Sequence, residues 1–156
     1  MLPDLSDNGG QIHQLAVGAG KDSIIYVVDR NAMGKFHSTD TIYQEILGAL
    51  AGSVFSTPAY FNQTIYYGAV SDAIKAFTIS NARLGTSPSS RTSITFTYPG
   101  ATPSVSANGT GSAILWAVGE RWTASSSVWA EIVSVKGPSS LAIRSFASPI
   151  RIKHLT

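Results

Sequence analysis

Apolar and polar positions alternate along this chain in short bursts, and few of them are long enough for a helix. Leu15–Gly18 is a short apolar run that ends at a glycine turn. Ser23–Asp29 (SIIYVVD) is an almost uninterrupted β-branched and aromatic run, the mark of a buried strand. Arg30–Gly34 is a turn, and Lys35-Phe36 opens a further short strand. Residues 37–53 carry the weakest pattern. Ile42, Ile46 and Leu47 allow one helical turn there, while Gly48 and Gly52 oppose a long helix.

A cleaner set follows. Val54–Phe61 predicts a strand, with Pro58 marking an edge or a bulge. Asn62-Gln63 predicts a turn, Thr64–Val70 a strand, Ser71-Asp72 a turn and Ala73–Ile79 a strand. Thr92–Tyr98 alternates with period two and reads as another strand. Thr102–Ala107 and Ser112–Val118 flank Asn108-Gly109, a strong hairpin signal. About nine strand candidates precede residue 119, and none of the segments is a convincing helix.

The pattern repeats. Gly18-Ala19-Gly20-Lys21-Asp22-Ser23-Ile24 returns about 50 residues later as Gly68-Ala69-Val70-Ser71-Asp72-Ala73-Ile74. Ser56-Thr57-Pro58-Ala59 with Ile65-Tyr66 is echoed by Ala101-Thr102-Pro103-Ser104 with Leu115-Trp116. Self-similarity at such a period in strand-rich units is the signature of propeller blades.

Composition agrees. Of 156 residues, 44% are hydrophobic and only 13% charged, with 14 Gly and 7 Pro, which suits short strands and tight turns. The net charge of +2 is too small to argue for nucleic acid. Residues 1–50 hold six acids and three bases, against two acids and five bases in 119–156. That basic tail is read as a solvated terminus. With no cysteine there is neither a disulfide nor a thiolate metal site, and no apolar run reaches membrane-spanning length. The first ten residues lack the basic and apolar blocks of a signal peptide and read as mid-domain loop. The chain is therefore expected to begin inside a longer protein.

These residues together resemble the pyrroloquinoline-quinone-type β-propeller repeat family of bacteria. Thr57-Pro58, Ile65-Tyr66-Tyr67-Gly68, Asp72 and Lys75-Ala76-Phe77 match one whole repeat unit. Val28-Asp29, Gly34 and Phe36 match the closing half of the unit before it, and Thr102-Pro103 with Ile114-Leu115-Trp116 the opening half of the unit after it. The repeats are degenerate: Thr78 stands where Asp29 does, and Leu84 replaces the closing aromatic. The resemblance implies an all-β fold, a partial β-propeller of about two and a half to three four-stranded antiparallel blades. It implies that the glycine reverses the chain, the Asp caps turns, and the closing aromatic docks one blade on the next.

Candidate chemistry is thin. Gly18–Asp22 resembles a phosphate loop only superficially, because the first glycine is missing and Asp22 replaces the Mg²⁺-binding Ser/Thr. His13, His37 and His154 have no spacing that sets two on one face of an element, so surface positions are expected rather than metal ligation. No Gly-x-Ser-x-Gly elbow occurs. Asp22, Asp29, Asp72 and Glu45 are the carboxylates available for acid/base work, and the recurrence of Asp22 as Asp72 argues for a turn role. Asn62-Gln-Thr64 and Asn108-Gly-Thr110 fit the glycosylation sequon but sit at hairpin turns, where Asn is favoured anyway. Tyr26, Tyr60, Tyr66, Phe77, Phe96 and Trp116 are read as core between blades rather than as a ligand groove.

The sequence thus divides into propeller blades over 1–118 and a Ser-rich tail over 119–156 that is divergent or read out of frame, and that is expected to pack poorly. The expected function is a non-catalytic repeat scaffold or binding segment of a larger bacterial protein, exported to the periplasm or beyond. Its partner is a protein or small molecule whose chemistry the sequence leaves open, with self-association through uncovered blade faces. The rival is a fragment of a quinoprotein dehydrogenase, in which the resemblance implies pyrroloquinoline quinone and Ca²⁺ on the propeller axis. No catalytic, cofactor-binding or metal-binding residue is assigned on either reading.

Overall fold

The structure is a computed structural model that describes residues 1–36, 38–110, 112–120, 128–135 and 145–149, the last two by strand pairing alone. The chain is all-β, and the described residues contain no helix. Its strands in order are β1 (Leu5–Ser6), β2 (Ile12–His13), β3 (Leu15–Ala19), β4 (Ile25–Asp29), β5 (Gln44–Ile46), β6 (Ala59–Phe61) and β7 (Thr64–Gly68). They continue as β8 (Ile74–Ser80), β9 (Arg83–Leu84), β10 (Ser90–Arg91), β11 (Thr102–Asn108), β12 (Ser112–Glu120), β13 (Val128–Val135) and β14 (Ser145–Pro149).

Every pairing is antiparallel. A small β1–β2 ladder precedes three larger sheets: β3-β4-β5, then β6-β7-β8, then β11-β12-β13-β14. In the middle sheet the outer edge of β8 is shared, with β9 pairing its C-terminal end and β10 its N-terminal half. The third sheet runs straight through the start of the Ser-rich segment, because β12 reaches Glu120 and β13 and β14 extend its meander. How the side chains of that segment pack lies outside the described residues.

The middle sheet is buried on both faces, and period-two alternation decides which side chain goes where. Ile65, Tyr67, Phe77 and Ile79 join Leu15, Ile25, Val27 and Ile46 of the first sheet in one cluster. Tyr66, Ile74 and Ala76 join Ala101, Leu115 and Ala117 in a second cluster on the opposite side. A strand covered on both faces must be apolar throughout, which is why AIKAFTI reads as a nearly continuous run.

Ladder register refines the repeat. Ala19 pairs with Ile25 in the first sheet, and Gly68 pairs with Ile74 in the second. Ala19 therefore corresponds to Gly68, one position away from the sequence echo that matches Gly18 to Gly68. On this register Val17 corresponds to Tyr66 and Gly18 to Tyr67. The second echo needs no adjustment: Ala59 pairs with Tyr66 and Ser104 with Trp116, so Trp116 is the counterpart of Tyr66.

Several expected elements differ. Ile42–Leu47 contributes the short strand β5 instead of a helical turn, because Ile46 pairs with Ile25 and is buried on the core side. Only Ala59–Phe61 of the expected strand Val54–Phe61 forms ladder pairs. Upstream of it the backbone serves contacts between sheets: Val54 N–H donates to Gly20 O at 3.0 Å, and Ser53 O accepts from Val70 N–H at 2.9 Å. Thr92–Tyr98 alternates yet is no strand. Thr92 Oγ1 accepts the Ile74 N–H at 3.0 Å, and Phe96 makes a single bridge to Asp72. Lys35-Phe36 is not a strand either, and Phe36 is 101% exposed, so it docks nothing.

Candidate functional site

The sequence-derived carboxylates fall into separate places, and Asp22, Asp29 and Asp72 are each engaged by backbone or a neighbouring side chain. Asp22 lies in the β3–β4 turn, where its Oδ1 accepts the Ile24 N–H at 3.2 Å and its Oδ2 the Tyr26 hydroxyl at 2.6 Å. The Tyr26 hydrogen bond, followed by that of Ile24, holds the Asp22 carboxyl below its ordinary range. The same contact, with desolvation, pushes the Tyr26 phenol up to about 12. The Gly18–Asp22 segment is thus the end of a strand and its turn. Asp29 accepts the Asn31 N–H at 2.8 Å in the turn after β4. Glu45 stands exposed on β5, opposite Tyr26 in the ladder.

Asp72 differs in kind. It is buried, and its Oδ1 accepts the N–H of Ala73 at 2.9 Å. Its Oδ2 accepts the N–H of Ala51 at 2.8 Å and meets Lys75 Nζ at 2.7 Å. Lys75 in turn donates to Ala49 O at 2.9 Å. The one-residue difference in register explains why Asp22 and Asp72 do not play the same part. Asp22 closes its own turn, whereas Asp72 and Lys75 fasten the segment at Ala49–Ala51 to the middle sheet. This ion pair escaped the sequence reading, which took Lys75 as part of an apolar strand. A lysine inside such a strand, three residues after an Asp, is the signal that was there to find.

His13 Nε2 lies 3.0 Å from Asp7 Oδ2, across the β1–β2 hairpin, and the His13 ring is tilted against Tyr43 with centroids 5.5 Å apart. Asp7 also accepts the N–H groups of Gly9 and Gln11. The His13 hydrogen bond comes first among the causes that hold its carboxyl low. His37 and His154 lie outside the described residues. Among the described residues no group of three His, Cys, Asp or Glu side chains converges on a point where a metal would sit. No helix among them is long and apolar enough to cross a membrane.

The sequon asparagines are at turns. Asn62 and Gln63 form the β6–β7 connection with φ of 43° and 56°, and Asn108 ends β11 next to Gly109 at φ 63°. The aromatics divide into three groups. Tyr66, Phe77 and Phe96 are buried, Tyr26 and Tyr60 are half-buried, and Trp116 is 39% exposed on β12 with its Nε1 donating to Ser106 Oγ at 2.7 Å. Tyr67, fully buried edge-on against Phe77, was not singled out from sequence. Burial pushes its phenol above the ordinary tyrosine range.

Leu115 and Ala117 point into the core, so strand geometry sends Trp116 and Val118 to the opposite face of β12, where both are exposed. No protein-family model matches this chain, and neither a curated protein nor a solved structure matches it.

Proposed function

We propose that this chain is a run of β-propeller blades acting as a non-catalytic scaffold that presents a binding surface. The observation that carries the proposal is the register series Val17, Tyr66, Trp116. Val17 packs toward the middle sheet and Tyr66 toward the third, so each sheet sets the same face on the back of the next. Head-to-tail packing of short antiparallel meanders is what a radial or stacked repeat requires. The carboxylates support the non-catalytic half of the proposal, since Asp22, Asp29 and Asp72 are each engaged by turn or linker backbone.

One experiment tests the function directly. The chain is incubated with pyrroloquinoline quinone and Ca²⁺, passed over a desalting column and examined for quinone absorbance. Protein free of chromophore is expected. Near-stoichiometric retention would overturn the scaffold and bring back the quinoprotein dehydrogenase. The architecture has its own test in an experimental structure: β4, β8 and β12 should fan about a common axis, and a flat parallel stack would count against the propeller.

A further inference from the structure

Asn31, Asn62 and Asn81 precede Ala, Gln and Ala, whereas Asn8 and Asn108 each precede a glycine. Glycine has no side chain to shield its backbone nitrogen, so that nitrogen can close on the carboxamide carbon of the asparagine before it. Asn8 and Asn108 are both exposed hairpin residues, and exposure alone does not separate them. What separates them is the partner of the glycine N–H.

Asn8-Gly9 lies in the β1–β2 turn, which is tied to Asp7. Gly9 N–H donates to Asp7 Oδ1 at 2.9 Å, Gln11 N–H donates to the same oxygen at 3.0 Å, and Gly10 N–H donates to Asp7 O at 3.0 Å. The hydrogen bonds from His13 and then Gln11 hold the Asp7 carboxyl low, so it is ionised at neutral pH. A backbone nitrogen must lose its proton to attack, and an anion forming beside a carboxylate is disfavoured. Asn108-Gly109 has no such guard. Asn108 and Ser112 form the last ladder pair of β11 and β12, and Gly109 follows at φ 63°. Among the described residues the Gly109 N–H has no hydrogen-bond acceptor. A Cβ on Gly109 would meet nothing within 4 Å, so the tip stands clear of the sheets.

We propose that Asn108 is a site of spontaneous deamidation in the folded chain, and that Asp7 protects Asn8 from the same reaction. The Gly109 nitrogen gives its proton to solvent and bonds to Asn108 Cγ. The bond from Cγ to Nδ2 breaks, and the carboxamide nitrogen takes up a proton and leaves as ammonia. A cyclic imide remains. Water then opens it on either side, with no oxidation or reduction. Opening at Cγ gives aspartate. Opening at the α-carbonyl gives isoaspartate, in which the main chain runs through the side-chain carbon. Both products place a new carboxylate at the β11–β12 tip. Isoaspartate also lengthens the main chain there, and because connection length fixes hairpin register, pairing of β11 with β12 loosens from Asn108 and Ser112 inward.

Timed incubation of the full chain in a mildly alkaline buffer, with and without urea, tests this by peptide mapping. Mass spectrometry reads the conversion of amide to acid at each site, and isoaspartate is resolved from aspartate by chromatography. In the folded chain Asn108 should react at least about tenfold faster than Asn8, the equivalent of one pK unit in the acidity of the attacking amide. In urea, where the Asp7 contacts are lost, the two Asn-Gly sites should react at comparable rates. Asp7→Ala should bring Asn8 up to the rate of Asn108 without urea, with circular dichroism checking that the variant is folded. The wild-type comparison stands whether or not that variant folds. Equal rates at Asn8 and Asn108 in the folded wild type overturn the proposal. So does an Asn108 that reacts only in urea, or a folded Asp7→Ala in which Asn8 is no faster.

Discussion

The backbone N–H of Ala101 donates to the carbonyl of Gly68 at 3.0 Å, joining the end of β7 to the entry of β11. The two segments approach so closely that a Cβ on Gly68 would lie 2.5 Å from Ala101 O, and one on Gly100, at φ 92°, would lie 2.6 Å from Gly68 O. Ser56 Oγ donates to the same Ala101 carbonyl at 2.9 Å. The glycine that closes the Ile-Tyr-Tyr-Gly motif is therefore needed for a crossing between sheets, in addition to any turn that follows it.

Gly68→Ala is accordingly expected to destabilise the chain by about 1–3 kcal/mol, the range for forcing an extra methyl into packed structure. Urea denaturation checks this. An unchanged midpoint would mean that β11 slides away at little cost. Gly18→Ala, at an open position, serves as the control.

Asp72 and Lys75 form the most buried ion pair among the described residues, with side-chain exposures of 9% and 13%. Asp72→Ala strands the lysine charge beside the core and should cost about 3–5 kcal/mol. The double variant Asp72→Ala/Lys75→Met should recover part of that loss, because no charge is then left buried. A thermodynamic cycle over the four proteins measures the coupling. Simple additivity would show that the pair is not coupled.

Asn62 and Gln63 both hold positive φ without a glycine between β6 and β7. Gly at the second position of such a two-residue hairpin relieves the left-handed strain. Gln63→Gly removes left-handed strain of roughly 1–2 kcal/mol and adds unfolded-state freedom worth roughly 0.5–1 kcal/mol, so a net gain of about 0.5–1 kcal/mol is expected, read by thermal unfolding monitored by circular dichroism.

The Tyr26–Asp22 contact gives a titration with a definite sign. Tyr26 is raised from its ordinary 10.0 to about 12, so its share of stability is complete below the unfolded value and is lost as pH climbs through about 12. Asp22 is lowered, so its share is present above the usual carboxylate range and is lost as pH falls through its depressed value. Phenolate absorbance difference titration of wild type against Tyr26→Phe isolates this group. Asp22→Asn should bring the Tyr26 transition back toward 10.0.

Strands whose side chains decide their own burial were legible in sequence. Thr64–Gly68 and Ile74–Ser80 are largely apolar because both faces of their sheet are covered, and in Ile25–Asp29 the residues Ile25 and Val27 enter the core while Tyr26 and Val28 are half-buried on the other face. The hairpin around Asn108-Gly109 followed from turn chemistry. Val54–Pro58 and Thr92–Tyr98 were not legible, since their backbone bonds go to a neighbouring sheet or end on the hydroxyl of Thr92, and period alone does not reveal where an N–H will find its acceptor. The repeat was visible in outline but displaced by one residue between Gly18 and Gly68, because sequence identity followed the Gly-Ala pair while the ladder follows strand pairing. That displacement is also why Asp22 and Asp72 looked equivalent. The exposure of Trp116 was hidden for a related reason: alternation along a strand does not tell which of its two faces a neighbouring sheet covers.

The sharing of β8 between two short strands bears on how this chain can go wrong. β9 and β10 are two residues each, and β6, on the far side of the sheet, is three residues long and follows Pro58 directly. Short borders interrupted by proline offer little unpaired backbone for another chain to copy. Growth by addition of strands to the middle sheet is thereby blocked. Concentrated native chain should therefore leave amyloid-sensitive dyes dark.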